Sequence, residues 1–495
     1  MGLGRNIPKD ADVRTSFAQW SARSVDLCDV ARVRIDMLPD VALLEIFHFY
    51  VDEAIRTEDW YVLVHVCRKW RNVVFGSPRR LNLRLSCTRR TPVRKTLDVW
   101  PLLPIKVFDD RGELEGLGLD NIIAALEHND RICDLEIQSF TAGPGSEKVL
   151  AAMQQPFPEL TRLWLTGDEV SIQPDSFFGG SAPRLRSLVL FSIPFPGLPR
   201  LLLSATHLVY LNLSFIPHPG YISPETMVTC LSALTSLKTL RFGFKFPRSF
   251  PDRKRRRPPP PTRTLLPVLT DLKFYGVSEY LEDFVARIDA PLLDKLHILF
   301  FHQLLFDTLH LTQFVSRTPK LKAYNEARVK FTRTIVWVTL TQSSNGMISL
   351  GIKCRESDWQ LSSVAQLCRS FFDQALVPMA EHLYISEYVF SKVFPTDEPN
   401  WPDDIESDQW VELLHQFPAA KGLYISQEFE PHIAPTLQEL VGGRVTEVLP
   451  ALETLFLQET LPSGPVREAI GRFVAARQLT SHPIALSSWE RKYYD

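Results

Sequence analysis

This chain of 495 residues carries almost no excess charge: 55 lysines and arginines stand against 57 aspartates and glutamates, a formal net charge of −2. That balance argues against non-specific attraction to nucleic acid or membrane, so any basic contact must be local. Cysteine is scarce and scattered, with seven residues (28, 67, 87, 133, 230, 354 and 368) and no Cys-x-x-Cys pair. Neither a zinc site nor a disulfide framework is indicated, and free thiols fit a reducing compartment. Nowhere do about 18 apolar residues run unbroken, which excludes an ordinary transmembrane helix. The opening "MGLGRNIPKDADVRTSF" lacks the apolar core of a signal peptide and has no Ser or Thr at the sixth position for myristoylation. A soluble, intracellular protein, cytoplasmic or nuclear, is expected. Also missing are His-Glu-x-x-His, Gly-x-Ser-x-Gly, a phosphate loop and a dinucleotide fingerprint. No catalytic residue, metal site or cofactor is expected, and the chain is not expected to be an enzyme.

Organisation begins after a tail of residues 1–34, in "DMLPDVALLEIFHFYVDEAI" (36–55). Leu38-Pro39 bends the chain and Asp40 can cap a helix. At about 100° per residue, Leu43, Leu44, Ile46, Phe47, Tyr50, Val51 and Ala54 sweep an arc of roughly 160°. One core-facing stripe needs about 100°, so the surplus predicts a second covered face. The next segment, "TEDWYVLVHVCRKWRNVVF" (57–75), reads as one helix that Thr57 caps and Pro78 ends. Trp60, Leu63, Cys67, Trp70 and Val74 share one face of it, so Cys67 is expected to be a buried thiol rather than a ligand or nucleophile.

"LPDVALLEIF" followed by "LVHVCRKWRNVV" resembles an F-box, a small helical domain that docks on the Skp-type adaptor of a Skp–cullin–F-box ubiquitin ligase. The residues that carry the resemblance are Leu38, Pro39, Leu43, Ile46, Phe47, Val66, Cys67, Arg68, Trp70 and Arg71. The stretch from Ser77 to Ile105 resembles the continuation in many fungal F-box proteins. Two departures are the longer link "VDEAIRTED" and Arg79-Arg80-Leu81 in place of the common Leu-Trp. The resemblance implies an F-box-like domain over 35–80 that touches the adaptor through Leu38, Pro39, Leu43, Ile46, Phe47, Val66, Cys67 and Trp70. The same helices also fit a structural cap on whatever follows.

Beyond residue 128 the chain repeats a Leu-x-x-Leu-x-Leu unit: "PELTRLWL" at 158, "PRLRSLVL" at 183, "THLVYLNL" at 206, "TSLKTLRF" at 235, "PVLTDLKF" at 267 and "PLLDKLHI" at 291. The series continues with "PKLKAYNE" at 319, "PAAKGLYI" at 418 and "PALETLFL" at 450, and weaker copies stand at 130 and 378. From 158 to 319 the steps are 25, 23, 29, 32, 24 and 28 residues, close to the leucine-rich-repeat period of 20–29. The alternating run makes a strand with one buried face. Helices are predicted between the runs at 223–234, 281–289, 407–417 and 464–479, with a closing strand in "HPIALSSW". Neither strand nor helix can bury its apolar surface alone, so the copies must stack around a shared core. "RTIVWVTL" and "GMISLGIKC" lack the leucine spacing and are read as two degenerate repeats, in a total of about eleven to thirteen.

Two loops stand out. "RKRRRPPPP" sets Arg253, Lys254, Arg255, Arg256 and Arg257 before four prolines, a solvated loop that could serve nuclear import or meet an acidic ligand. "TDEPNWPDDIESDQW" (396–410) is acidic but lacks the glycine and terminal glutamate of a calcium loop. His297 and His302, five apart in a strand-like run, point to opposite faces and do not form a zinc pair.

The expected fold is α/β: a helical F-box-like module at 35–80, a connecting segment at 81–127, and a leucine-rich-repeat-like solenoid, or horseshoe, over 128–495. Its resemblance to F-box proteins with leucine-rich repeats implies the substrate-recognition subunit of a Skp–cullin–F-box ligase. Its partners would be a Skp-type adaptor, a cullin ligase through it, and an unidentified target protein; no membrane or nucleic-acid partner is expected. The alternative is a non-enzymatic repeat scaffold with an F-box-like cap.

Overall fold

The computed structural model describes residues 35–53, 59–76, 83–100, 102–109, 117–141, 143–168, 177–245, 262–301, 306, 308–322, 324–332, 334–342, 346–354, 360–372, 380–387, 407–440, 444–458 and 464–490. The chain divides into two compact units, Met1–Leu81 and Asn82–Asp495.

Among the described residues the first unit holds three α-helices: α1 (Asp40–Glu53), α2 (Asp59–Val66) and α3 (Arg68–Gly76). The carbonyl of Pro39 accepts the first intrahelical bond, from the Leu43 N–H at 3.0 Å. Asp40 therefore sits inside the first turn, where its carboxylate opposes the positive helix end, and does not cap. The expected single helix over 57–75 is broken at Cys67. Its carbonyl accepts from the Arg71 N–H at 3.1 Å and its Sγ from the Trp70 N–H at 3.5 Å, so Cys67 occupies a capping position. Arg71 Nε meanwhile donates to the Val64 carbonyl, 3.1 Å away, satisfying an acceptor that α2 leaves open. The break resets the helical phase, so Cys67 is exposed, not the buried thiol that an unbroken stripe predicts. Leu43, Leu44, Phe47, Leu63, Val64, Val73 and Val74 form the core of the unit. Phe47 packs on Trp70 with ring centroids 4.6 Å apart.

In the second unit the strands are β1 (Leu83–Cys87), β2 (Ile105–Asp109), β3 (Ile132–Thr141), β4 (Arg162–Asp168), β5 (Ser187–Phe191), β6 (Tyr210–Ile216), β7 (Thr239–Phe244), β8 (Thr264–Leu265) and β9 (Asp271–Gly276). They continue as β10 (Ile288–Asp289), β11 (Lys295–Phe301), β12 (Glu326–Phe331), β13 (Ile335–Thr341), β14 (Met347–Lys353), β15 (His382–Glu387), β16 (Gly422–Ile425), β17 (Thr454–Gln458) and β18 (Ala485–Trp489). Helices alternate with them: α4 (Val93–Val99), α5 (Leu117–Leu126), α6 (Pro144–Ala152), α7 (Leu198–Ser204), α8 (Pro224–Ser232), α9 (Ser278–Val285), α10 (Leu309–Arg317), α11 (Gln360–Phe372), α12 (Ser407–Leu414), α13 (Glu430–Glu439) and α14 (Pro465–Gln478).

Sixteen of these strands form one largely parallel sheet, an α/β repeat solenoid. The leucine pattern explains the register. In each full unit the first leucine (Leu160, Leu185, Leu208, Leu237, Leu269, Leu293) is buried in the turn before the strand. The second aligns across strands as Leu135, Leu163, Leu188, Leu211, Leu240, Leu272 and Leu296, a continuous apolar row. One core runs from Leu85 to Ile484. A slip of one residue would turn every such leucine to solvent, so the pattern fixes the pairing. At α8 the entry signal works as read: Pro224 opens the helix and Ser223 Oγ accepts from the Thr226 N–H at 3.2 Å.

Three expectations change. Residues 81–127 are not a plain connection: β1 and β2 pair in parallel within the same sheet, from "LRLSC" and "IKVFD", which alternate without the leucine triplet. The helix expected at 281–289 is α9, and Ile288–Asp289 instead pairs with Thr264–Leu265 in a separate ladder. The two "degenerate repeats" between 327 and 378 are an antiparallel meander, β12–β13–β14, set into the parallel sheet. Its links, closed by Thr332 N–H to Ile335 carbonyl (2.8 Å) and Gln342 N–H to Gly346 carbonyl (3.1 Å), are too short for a parallel crossover.

Candidate functional site

The residues singled out in the first unit separate by burial. Leu43 and Phe47 are 0% exposed and belong to its interior, Leu38 and Trp70 are half-buried, and Pro39 and Cys67 are exposed. Ile46 and Val66 are 46% and 54% exposed, and around them in the sequence stand Val41, Phe49, Tyr50, Val62 and Phe75, all exposed. These side chains leave the surplus arc of α1, together with parts of α2 and α3, apolar and in water. Lys69 Nζ donates to the Leu38 carbonyl at 2.9 Å, tying the Leu-Pro bend to α3.

The second unit presents the non-core face of its sheet, where the x positions of the repeats form rows across the strands. On the C-terminal strands Tyr384 and Tyr424 stack at 4.2 Å, Tyr424 and Phe456 stack at 4.2 Å, and the Arg328 guanidinium lies 4.9 Å from the Tyr384 ring centre. Trp489 closes on this ladder, donating its indole N–H to the Ile425 carbonyl at 3.2 Å. Further along the same sheet, from β6 to β14, lies a cleft of about 500 Å³ lined by Arg241, Lys273, Tyr275, His297, Trp337 and Lys353, among others. Arg241 is held by Asp271 at 3.1 Å. His297 lies against the Trp337 ring, 4.5 Å between centroids. Burial, reinforced by Lys273 and Arg241 and opposed by Asp271, pushes the His297 pKa down to about 4, so the imidazole is neutral at physiological pH.

The buried thiols of Cys87, Cys133, Cys230, Cys354 and Cys368 are all raised by desolvation and unsuited to nucleophilic work. Among the described residues no group of three His, Cys, Asp or Glu could hold a metal ion, and no helix is long and apolar enough to cross a membrane. The basic run from Arg253 to Arg257 lies outside the described residues, as do His302 and Asp403, Asp404 and Glu406 of the acidic loop. Ser407 does begin a helix, α12, with Asp408 in its first turn.

Sequence reasoning did not find the cleft. Arg241, Lys273 and Tyr275 sit at outward positions of ordinary repeats, and Trp337 belongs to the misread meander. Only the strand register brings them together. No family model matches the chain, and no curated protein matches it. Among solved structures it is similar to a crystal structure of the Rad7 and Elc1 complex in yeast, with 10% identity over 92% of this chain and 94% of that chain. The TM-score is 0.24, and no conclusion about fold or function rests on that likeness.

Proposed function

We propose that this chain is a substrate-recognition subunit of a Skp–cullin–F-box ubiquitin ligase: the N-terminal helices dock on a Skp-type adaptor and the leucine-rich-repeat-like sheet holds a target protein. One observation carries the reading. The F-box-like motif residues Leu43 and Phe47 build a small helical core, while Ile46, Phe49, Val62 and Val66 remain apolar and exposed. An apolar surface of this kind on so small a unit calls for a protein partner. The chain itself would carry no transfer chemistry. It would act by proximity, raising the effective concentration of the target near catalytic subunits.

The test is co-purification of a recombinant Skp-type adaptor with the full chain and with an Ile46→Asp/Phe49→Asp variant. Both positions are exposed, so the variant should keep its circular dichroism and melting profile. If these side chains anchor the interface, each is worth about 2 kcal/mol or more, and the pair should abolish capture. No capture by the folded wild type, or equal capture by the variant, would leave a repeat scaffold with a helical cap.

A further inference from the structure

We propose that the cleft across β6, β7, β9, β11, β13 and β14 is a binding site for a planar organic anion, a small molecule with a flat conjugated body and a carboxylate, sulfonate or phosphate. The inference is independent of adaptor binding and does not rest on it.

Its size comes first. About 500 Å³ falls within the roughly 300–1,000 Å³ of small-ligand sites, which are mainly apolar with a few placed polar groups. The walls are aromatic and built at a structural cost. Between Leu213 and Ile216 the register of β6 on β7 shifts, a bulge, and Phe215 within it takes φ 56°, a left-handed conformation that a bulky residue rarely adopts. There Phe215 meets Phe191 at 4.8 Å and Tyr275 at 5.7 Å, and Tyr275 meets Phe301 at 4.6 Å. Residues held in this strained region of backbone space cluster at ligand-binding surfaces.

Two glycines make room for the floor. A Cβ on Gly243 would come within 2.5 Å of the Tyr275 Cβ, and one on Gly351 would run into the Trp337 indole. Without those side chains the neighbouring strand's Tyr275 and Trp337 can lie close over the sheet.

The charge is one-sided. Arg241, Lys273 and Lys353 line the cleft, and among the described residues no aspartate or glutamate does. Arg241 already has Asp271, whereas Lys273 and Lys353 make no ion pair among the described residues. Two such ammonium groups in a cleft that aromatic rings also line suit a ligand that brings both an anion and a π surface. His297, neutral at physiological pH, adds a stacking and hydrogen-bonding group rather than a further charge. An extended peptide fits less well. Every strand of the cleft is paired on both sides, so the cleft offers no free main-chain edge for strand addition.

The experiment is isothermal titration of the full chain with 2-naphthoate, its neutral counterpart 2-naphthamide, and a glutamate-rich octapeptide. The same titrations are made on a Lys273→Ala/Lys353→Ala variant and on a remote Lys148→Ala control, each checked for an unchanged melting curve. Saturable binding of naphthoate is expected, weakened at least tenfold by loss of the ligand's charge or of the two lysines, and unchanged in the control. A Phe215→Ala variant should weaken it too. Absence of saturable binding up to millimolar naphthoate, equal binding of the amide, indifference to the lysine pair, or binding of the peptide alone would each overturn the proposal.

Discussion

Cys67 shows how one backbone break changes the chemistry of a side chain. Within a continuous helix it would share the buried stripe of Leu63 and Val74, but as a cap between α2 and α3 it is exposed. Cys87 and Cys133, by contrast, are pushed up to about 12 and about 11 by burial. In a Cys28→Ser background, native labelling with a thiol-specific maleimide at pH 7.5 should therefore modify Cys67 within minutes and leave the other five buried. Mass spectrometry of the labelled peptides reads the outcome, and fast labelling of Cys230 or Cys354 would contradict the described core. Glu430 is a second residue with an environment-set property. It is 3% exposed at the start of α13, and burial, with Glu428 nearby, raises its pKa to about 7 despite the Gln458 N–H at 3.2 Å. A carboxyl raised in the folded state binds its proton more tightly than the unfolded chain does. Its contribution to stability consequently falls as pH rises from about 4.5 to about 7, then levels off. Glu430→Gln keeps the acceptor for Gln458 and removes the charge. It should match the wild type at pH 4.5 and exceed it at pH 8, by at most about 3 kcal/mol, as read from paired thermal melts.

At the scale of elements, the parallel repeats and the antiparallel meander obey different rules. The repeats were legible because each supplies three large apolar residues at fixed spacing, a leucine in the turn and two on the inward face of the strand, the last of them Phe242, Phe274 or Ile298 in the later units. The meander was not, because "RTIVWVTL" and "GMISLGIKC" alternate correctly but lack the turn leucine, and alternation alone does not give strand direction. The short hairpin at Thr332–Ile335 does. The pairing of Gly351 with Trp337 pins the meander, since the ring covers the glycine directly. Gly351→Ala should cost about 1–3 kcal/mol by overpacking, with faster amide exchange in β13 and β14 than in β4 and β5. Uniform exchange across the sheet would show that the contact is not local. At α2 and α3 the apolar spacing indicated helices correctly, but the break depended on whether the Cys67 carbonyl and sulfur could serve as a cap, which periodicity does not encode.

For the molecule as a whole, the continuous core from Leu85 to Ile484 predicts that the second unit folds by itself. Residues 82–495, expressed alone, should be monomeric and helical–sheet in circular dichroism, and melt within a few degrees of the same transition in the full chain. A fragment that aggregates or loses its cooperative transition would refute an independent second unit. Solenoid stability is approximately a sum over neighbouring repeats, and the fragment keeps every repeat–repeat pairing from β1 to β18.

The sequence by itself determined that there would be strands, how far apart they would stand, which of their faces would be buried, and that a separate helical segment would precede them. Those properties follow from spacings of a few residues, and local spacing is what a sequence displays directly. Tertiary structure alone decided that Phe47 lies inside while Ile46 stays out, that β12, β13 and β14 run antiparallel, and that Phe215, Arg241, Lys273, His297, Trp337 and Lys353 share one cleft. The physical reason is register. Residues from six strands, up to 141 positions apart between Asn212 and Lys353, become neighbours only when hydrogen bonding fixes each strand against the next.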